Sequence, residues 1–123
     1  MKFCWTTIGV TDMARSLAFY RDIVGLPVDR VMKPGPGLEI VFLGGGETKV
    51  ELIQSSEAPN PGFGANVSLG FQVESLDRTL AFLAERGVAI HAGPFQPSPH
   101  IRFLYVLDPD GLRVQFVEHL ARK

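Results

Sequence analysis

Two stretches of the chain repeat one another, and that repeat limits the possible folds more than any other feature. Asp12–Asp22 aligns with Ser75–Glu85, an offset of 63 between residue 12 and residue 75. Arg15, Leu17, Ala18 and Phe19 recur as Arg78, Leu80, Ala81 and Phe82, while Met13, Ser16 and Asp22 meet the similar Leu76, Thr79 and Glu85. Each segment opens on a residue suited to capping a helix N-terminus, Asp12 or Ser75, and runs on to a glycine stop, Gly25 or Gly87. Leu17, Tyr20 and Val24 fall on one helical face of the first segment, and Leu76, Leu80 and Leu83 on one face of the second.

The flanking sequence repeats too. Cys4–Val10 reads as a strand before the first helix, and Val67–Val73 alternates apolar and polar residues before the second. Three strands are expected after each helix. They are Pro27–Met32, Leu38–Leu43 and Lys49–Gln54 in the first half, and Val88–His91, Ile101–Leu107 and Leu112–Glu118 in the second. Turn-forming residues separate them: Pro34–Gly37, Gly44–Gly46, Ala92–Pro94 and Asp108–Gly111. The sequence therefore predicts an α+β fold of two tandem βαβββ modules, Met1–Gln54 and Val67–Lys123, joined by a linker over 55–66. Units of that size are expected to complete one core, so 1–123 is read as a single domain whose curved mixed sheets surround a shared cleft.

Composition fits a soluble globular chain. Of 123 residues 46% are hydrophobic and 20% charged, which excludes a disordered or fibrous protein. A net charge of −1 gives no general attraction to nucleic acid or to an anionic membrane. No apolar run approaches the ~20 residues of a membrane helix, and the N-terminal sequence lacks a signal-peptide pattern, so a cytoplasmic protein is expected. The one cysteine, Cys4, has no internal disulfide partner, and its parity with Ile8 and Val10 suggests a small buried thiol.

Strand alternation sorts the side chains by face. Ile8, Val10, Val50, Leu52, Val67, Leu69, Phe71, Val73, Val114 and Phe116 are expected under the helices. Trp5, Thr7, Lys49, Glu51, Ile53, Ser68, Gly70, Gln72, Arg113, Gln115 and Val117 are expected on the opposite, cleft-lining face. Through the repeat, Trp5 matches Ser68 and Glu51 matches Gln115. Glu51 stands out, because a carboxylate between Val50 and Leu52 needs a hydrogen bond, a cation or a raised pKa. Pairing with Lys49 or Arg113 at the rim is the plainer alternative to a catalytic role. His91, His100 and His119 suit rim positions, with Ala92–Pro99 read as a loop able to close over the cleft; His100 neighbours Arg102, a further ligand-binding candidate. No Ser-His-Asp or Cys-His set and no phosphate-binding glycine loop is evident.

Thr7–Asp12, Ser16–Leu26, Val50–Ile53 and Asp108–Gly111 together resemble the vicinal oxygen chelate superfamily, which includes glyoxalase I, bleomycin-resistance proteins and extradiol dioxygenases. The resemblance implies four inward-facing metal-ligand positions, which in this chain are Trp5, Glu51, Ser68 and Gln115. In glyoxalase I such ligands bind zinc or nickel, and one glutamate moves the substrate proton. Trp5 has no lone pair to give a metal and Ser68 is a poor ligand, which leaves Glu51 and Gln115.

Three readings follow. The first is a cleft that binds a small, partly apolar molecule through Trp5, Thr7, Ser68, Gln72, Arg102 and Gln115 without a cofactor, Phe63 and Phe95 adding aromatic walls. The second is a glyoxalase-like lyase or isomerase in which Glu51 is catalytic and, with Gln115, holds an atypical Zn, Ni, Co or Mn ion. The third uses Glu51 as a base without metal, or leaves the cleft without a ligand. The resemblance also implies a homodimer, whose two chains cover exposed sheet edges.

Overall fold

The computed structural model describes residues 1–57, 62–64 and 66–120. It forms two compact units, Met1–Gly62 and Phe63–Lys123. The first contains β1 (Trp5–Gly9), α1 (Met13–Leu17) continued by a π-helical stretch over Ala18–Ile23, β2 (Val28–Gly35), β3 (Leu38–Leu43) and β4 (Lys49–Ser55). The second contains β5 (Ser68–Gln72), α2 (Leu76–Glu85), β6 (Ala92–Ser98), β7 (Ile101–Leu107) and β8 (Arg113–His119). Their sheets share one topology, β1-β4-β3-β2 and β5-β8-β7-β6, with the first pair parallel in each and the rest antiparallel. Both are βαβββ units, and the α+β architecture is as expected. No helix among the described residues is long and apolar enough to cross a membrane.

The helices start where the caps predict. Asp12 accepts the backbone N–H of Arg15 and Ser75 that of Arg78, each satisfying a donor that the first helical turn leaves free. A second clasp comes from the last strand of each unit. Gln54 Oε1 accepts the N–H of Met13 at 2.6 Å, and Glu118 Oε1 accepts that of Leu76 at 2.7 Å. The repeat therefore extends to the side chain that ties each helix to its sheet. Gly25 (φ +88°) and Gly87 (φ +69°) end the helical segments in the left-handed region, where a Cβ would be strained.

The first helix departs from the predicted face. Val24 N–H bonds to Phe19 O, five residues back, so the winding is wider than α. Phe19 and Tyr20, adjacent in sequence, are then both buried, their rings edge-to-face at 5.0 Å, while Leu17 and Val24 are only half-buried. In α2, Leu76 and Leu83 are buried and Leu80 half-buried, as its periodicity predicts.

Beneath the helices lie Ile8, Val10, Val41, Leu43, Val50 and Leu52 in the first unit, and Leu104, Val106, Leu112, Val114 and Phe116 in the second. A buried Leu or Val of this kind contributes about 1.5–3 kcal/mol. The Asp108–Gly111 turn is built around the buried Asp108, whose Oδ1 accepts the N–H groups of Asp110 at 2.8 Å and Leu112 at 2.9 Å.

Three expectations are corrected. Val88–His91 is not a strand; β6 is Ala92–Ser98, so the segment read as a closing loop is an edge of the sheet. An edge strand tolerates Pro94 and Gly93, and the β6–β7 register shifts around them. Cys4 precedes β1, so strand parity does not govern it, and its thiol is exposed. Val67 likewise precedes β5 and is 54% exposed.

Candidate functional site

Strand register on the first sheet's open face places Thr7, Glu51, Phe42 and Arg30 side by side in one row. Thr7 Oγ1 donates to Glu51 Oε1 at 2.5 Å. That bond answers the question raised by a half-buried carboxylate: a neighbouring hydroxyl, not a cation, holds one of its oxygens. Lys49, the plainer partner, turns the other way. Its Nζ donates to Gly44 O at 2.7 Å and lies 3.7 Å from Asp29. Oε2 of Glu51 remains to accept a ligand hydrogen bond or a proton.

Trp5 stands one row further along, opposite Lys49. Its ring meets that of Phe42 edge-to-face at 5.2 Å, and the Arg30 guanidinium lies 4.9 Å from the same Phe42 ring. Phe42 is 5% exposed while Trp5 remains 46% exposed, so the indole is supported from below and open above. These residues form the wall of a groove of about 300 Å³.

On the second unit the matching row is Gly70, Gln115, Tyr105 and Ala92. Gln115 Nε2 donates to the Tyr105 hydroxyl at 3.3 Å. A Cβ on Gly70 would lie 3.2 Å from Gln115 Oε1, so the glycine leaves room for the amide. Arg113 covers the Tyr105 ring at 4.2 Å, and Phe103 links Tyr105 to Phe95 through ring contacts of 5.8 and 5.5 Å. Ser68 and Gln72 are exposed on β5, on the Gln115 side of the sheet.

Arg102 stands apart. It lies opposite Glu118 on the helix side of β7 and binds Asp77 of α2 at 3.3 Å. His91 precedes β6, His100 lies in the turn before β7 and His119 ends β8, and Phe63 belongs to no element. Phe42, Arg30 and Tyr105 escape parity reasoning, which does not give cross-strand neighbours. The repeat carries a signal for two of them, because Phe42 pairs with Tyr105 at an offset of 63, as Glu51 pairs with Gln115 at an offset of 64.

The donors do not suit a tight zinc or nickel site. Of the four positions only Glu51 carries an anionic ligand atom; Trp5 offers none, Ser68 a weak neutral hydroxyl and Gln115 a neutral amide oxygen. Among the described residues no three His, Cys, Asp or Glu side chains gather in a way that could hold a metal ion.

Comparison with known proteins accords with this architecture. The family model of the glyoxalase/bleomycin resistance protein/dioxygenase superfamily matches residues 2–116. Among solved structures, the chain is similar to TnmS3, an antibiotic binding protein from Streptomyces sp. CB03234, with 25% identity, 97% of this chain and 96% of that one covered, and a TM-score of 0.77. It is similar also to the trypanothione-dependent glyoxalase I of Leishmania major, with 26% identity, coverage of 96% and 86%, and a TM-score of 0.80. Over 59 residues it is 37% identical to the mitochondrial methylmalonyl-CoA epimerase of Mus musculus, a match to 46% of this chain and only 33% of the epimerase. The chain belongs to the glyoxalase/bleomycin resistance protein/dioxygenase superfamily.

Proposed function

We propose that this member of the superfamily binds a small, partly apolar molecule on the open face of its first module, without the standard four-ligand metal site. One observation carries the reading. At the first ligand position stands Trp5, an indole braced on Phe42 and open to solvent, beside a carboxylate oriented by Thr7. An exposed aromatic plane next to one oriented polar group is what holds and orients a small molecule. Thr7 and Glu51 supply the polar contacts there; Ser68, Gln72 and Gln115 are candidate ligand contacts on the second module's own open face. Arg102 is a weaker candidate, given its pairing with Asp77. That TnmS3 is an antibiotic binding protein supports the binding role.

The second reading is a lyase or isomerase with Glu51 as the catalytic carboxylate. The Thr7–Glu51 bond and the glyoxalase I and epimerase relatives favour it. Glu51 Oε2 would then accept a proton from a carbon acid in the bound molecule.

Metal analysis combined with calorimetry separates the two. The binding reading predicts purified protein with far less than one Zn, Ni, Co or Mn per chain and no thermal stabilisation by these ions. It also predicts that Trp5→Ala abolishes the heat of ligand binding while the circular dichroism spectrum stays native. One tightly held metal per chain, lost in Glu51→Ala, would replace it with the metal-dependent lyase or isomerase. The protein is also proposed to act as a homodimer, supported by exposed Val28, Val31 and Met32 on the edge strand β2. A monomeric mass in light scattering would refute that.

A further inference from the structure

The geometry points to a planar aromatic anion as the ligand class of the first module's groove, with Arg30 receiving the negative group. The inference rests on the proposal that the Trp5 face is the binding face, and it deepens that proposal. Its basis is the charge arrangement around the groove. Lys2 and Lys49 both line it, and both are matched by acids, Lys2 by Glu47 at 3.6 Å and Lys49 by Asp29 at 3.7 Å. Arg30 is different. It lies over the Phe42 ring at 4.9 Å and, among the described residues, has no carboxylate partner.

A guanidinium placed over an aromatic ring and without a carboxylate partner keeps N–H donors for a ligand, and a carboxylate can be bound by it through two hydrogen bonds. The half-exposed Trp5 indole supplies the apolar surface for the rest of the molecule. Glu51 lies cross-strand from Phe42 and carries negative charge, so it repels an anion and sets the orientation, ring toward Trp5 and anionic group toward Arg30. A groove of about 300 Å³ is at the small end of ligand sites, which limits the occupant to one or two rings.

The test uses 2-naphthoate and its neutral match 2-naphthamide. The chain has one Trp, so its single indole N–H resonance reports on Trp5 alone. Both probes should move that resonance, and calorimetry should give 2-naphthoate about a tenfold lower Kd than the amide, from charge-assisted hydrogen bonding. Arg30→Gln should erase the difference by weakening the acid far more than the amide, and Arg30→Lys should restore part of it. Arg30 is exposed, so folding of these variants is checked simply by a native amide spectrum. Equal affinities in the wild type, or an acid preference that survives Arg30→Gln, would overturn the inference while leaving Trp5-face binding in place. No movement of the Trp5 resonance with either probe at millimolar concentration would overturn both.

Discussion

The two modules are built on one plan, yet their helix-covered and open faces have fared differently. Beneath the helices the halves correspond closely. Asp12 and Ser75 cap, Met13 and Leu76 are buried first-turn residues, and Gln54 and Glu118 clasp the same backbone donor. On the open faces the equivalent rows have diverged to Thr7–Glu51–Phe42–Arg30 and Gly70–Gln115–Tyr105–Ala92. One row carries a carboxylate and a guanidinium; the other carries an amide, a phenol and two residues without polar side-chain atoms. The residues that hold a module together and those that could touch a ligand thus lie on opposite sides of each sheet. Such a scaffold can exchange its chemistry without loss of its core.

The correspondence beneath the helices is broken most severely by emptying the core. Leu52→Ala in the first module and its equivalent Phe116→Ala in the second should each cost about 3–5 kcal/mol in urea unfolding, because both side chains are buried. A small loss in one module alone would show that the cores are not equivalent.

The clasp gives a finer comparison. Gln54→Ala and Glu118→Ala should each cost about 0.5–2 kcal/mol by thermal or urea unfolding, through a helix N–H left without its partner. The larger loss is expected at Glu118, whose charge also favours the positive end of α2. Glu118→Gln converts the second clasp to the first and should recover most of that loss. Next in size is Gly87→Ala, expected to cost about 1 kcal/mol from left-handed strain alone, since no atom lies within 4 Å of the added Cβ.

The open face should show the opposite pattern. Glu51→Gln should change unfolding free energy by less than about 0.5 kcal/mol, because a half-buried surface position with one hydrogen bond is weakly coupled to the fold. The same variant should alter ligand affinity. A loss of several kcal/mol would make Glu51 a structural residue.

How far the sequence carries depends on which property a position answers to. Caps, glycine stops and the strands Leu38–Leu43 and Ile101–Leu107 follow from local chemistry and alternation, and the structure reproduces those two strands to the residue. β6 is not legible in this way. Gly93-Pro94 has the local chemistry of a break, and only the neighbouring β7 makes an edge strand of it. Cys4 and Val67 mislead because each precedes its strand, where parity has no meaning. Glu51 and Gln115 are visible as polar residues at inward positions, but the Thr7 hydroxyl, Phe42 and Tyr105 become their partners only through register. Arg102 attracts attention through its neighbour His100, and strand alternation then turns it toward α2.

The division of labour between faces is tested most directly by amide and indole chemical-shift mapping with a bound one- or two-ring ligand. The account predicts that the largest shifts fall on Trp5, Thr7 and Glu51, with Ile8 and Leu52, their neighbours beneath the helix, much less affected. Shifts centred on the helix-covered residues, or absent from Trp5, Thr7 and Glu51 while the ligand demonstrably binds, would contradict it.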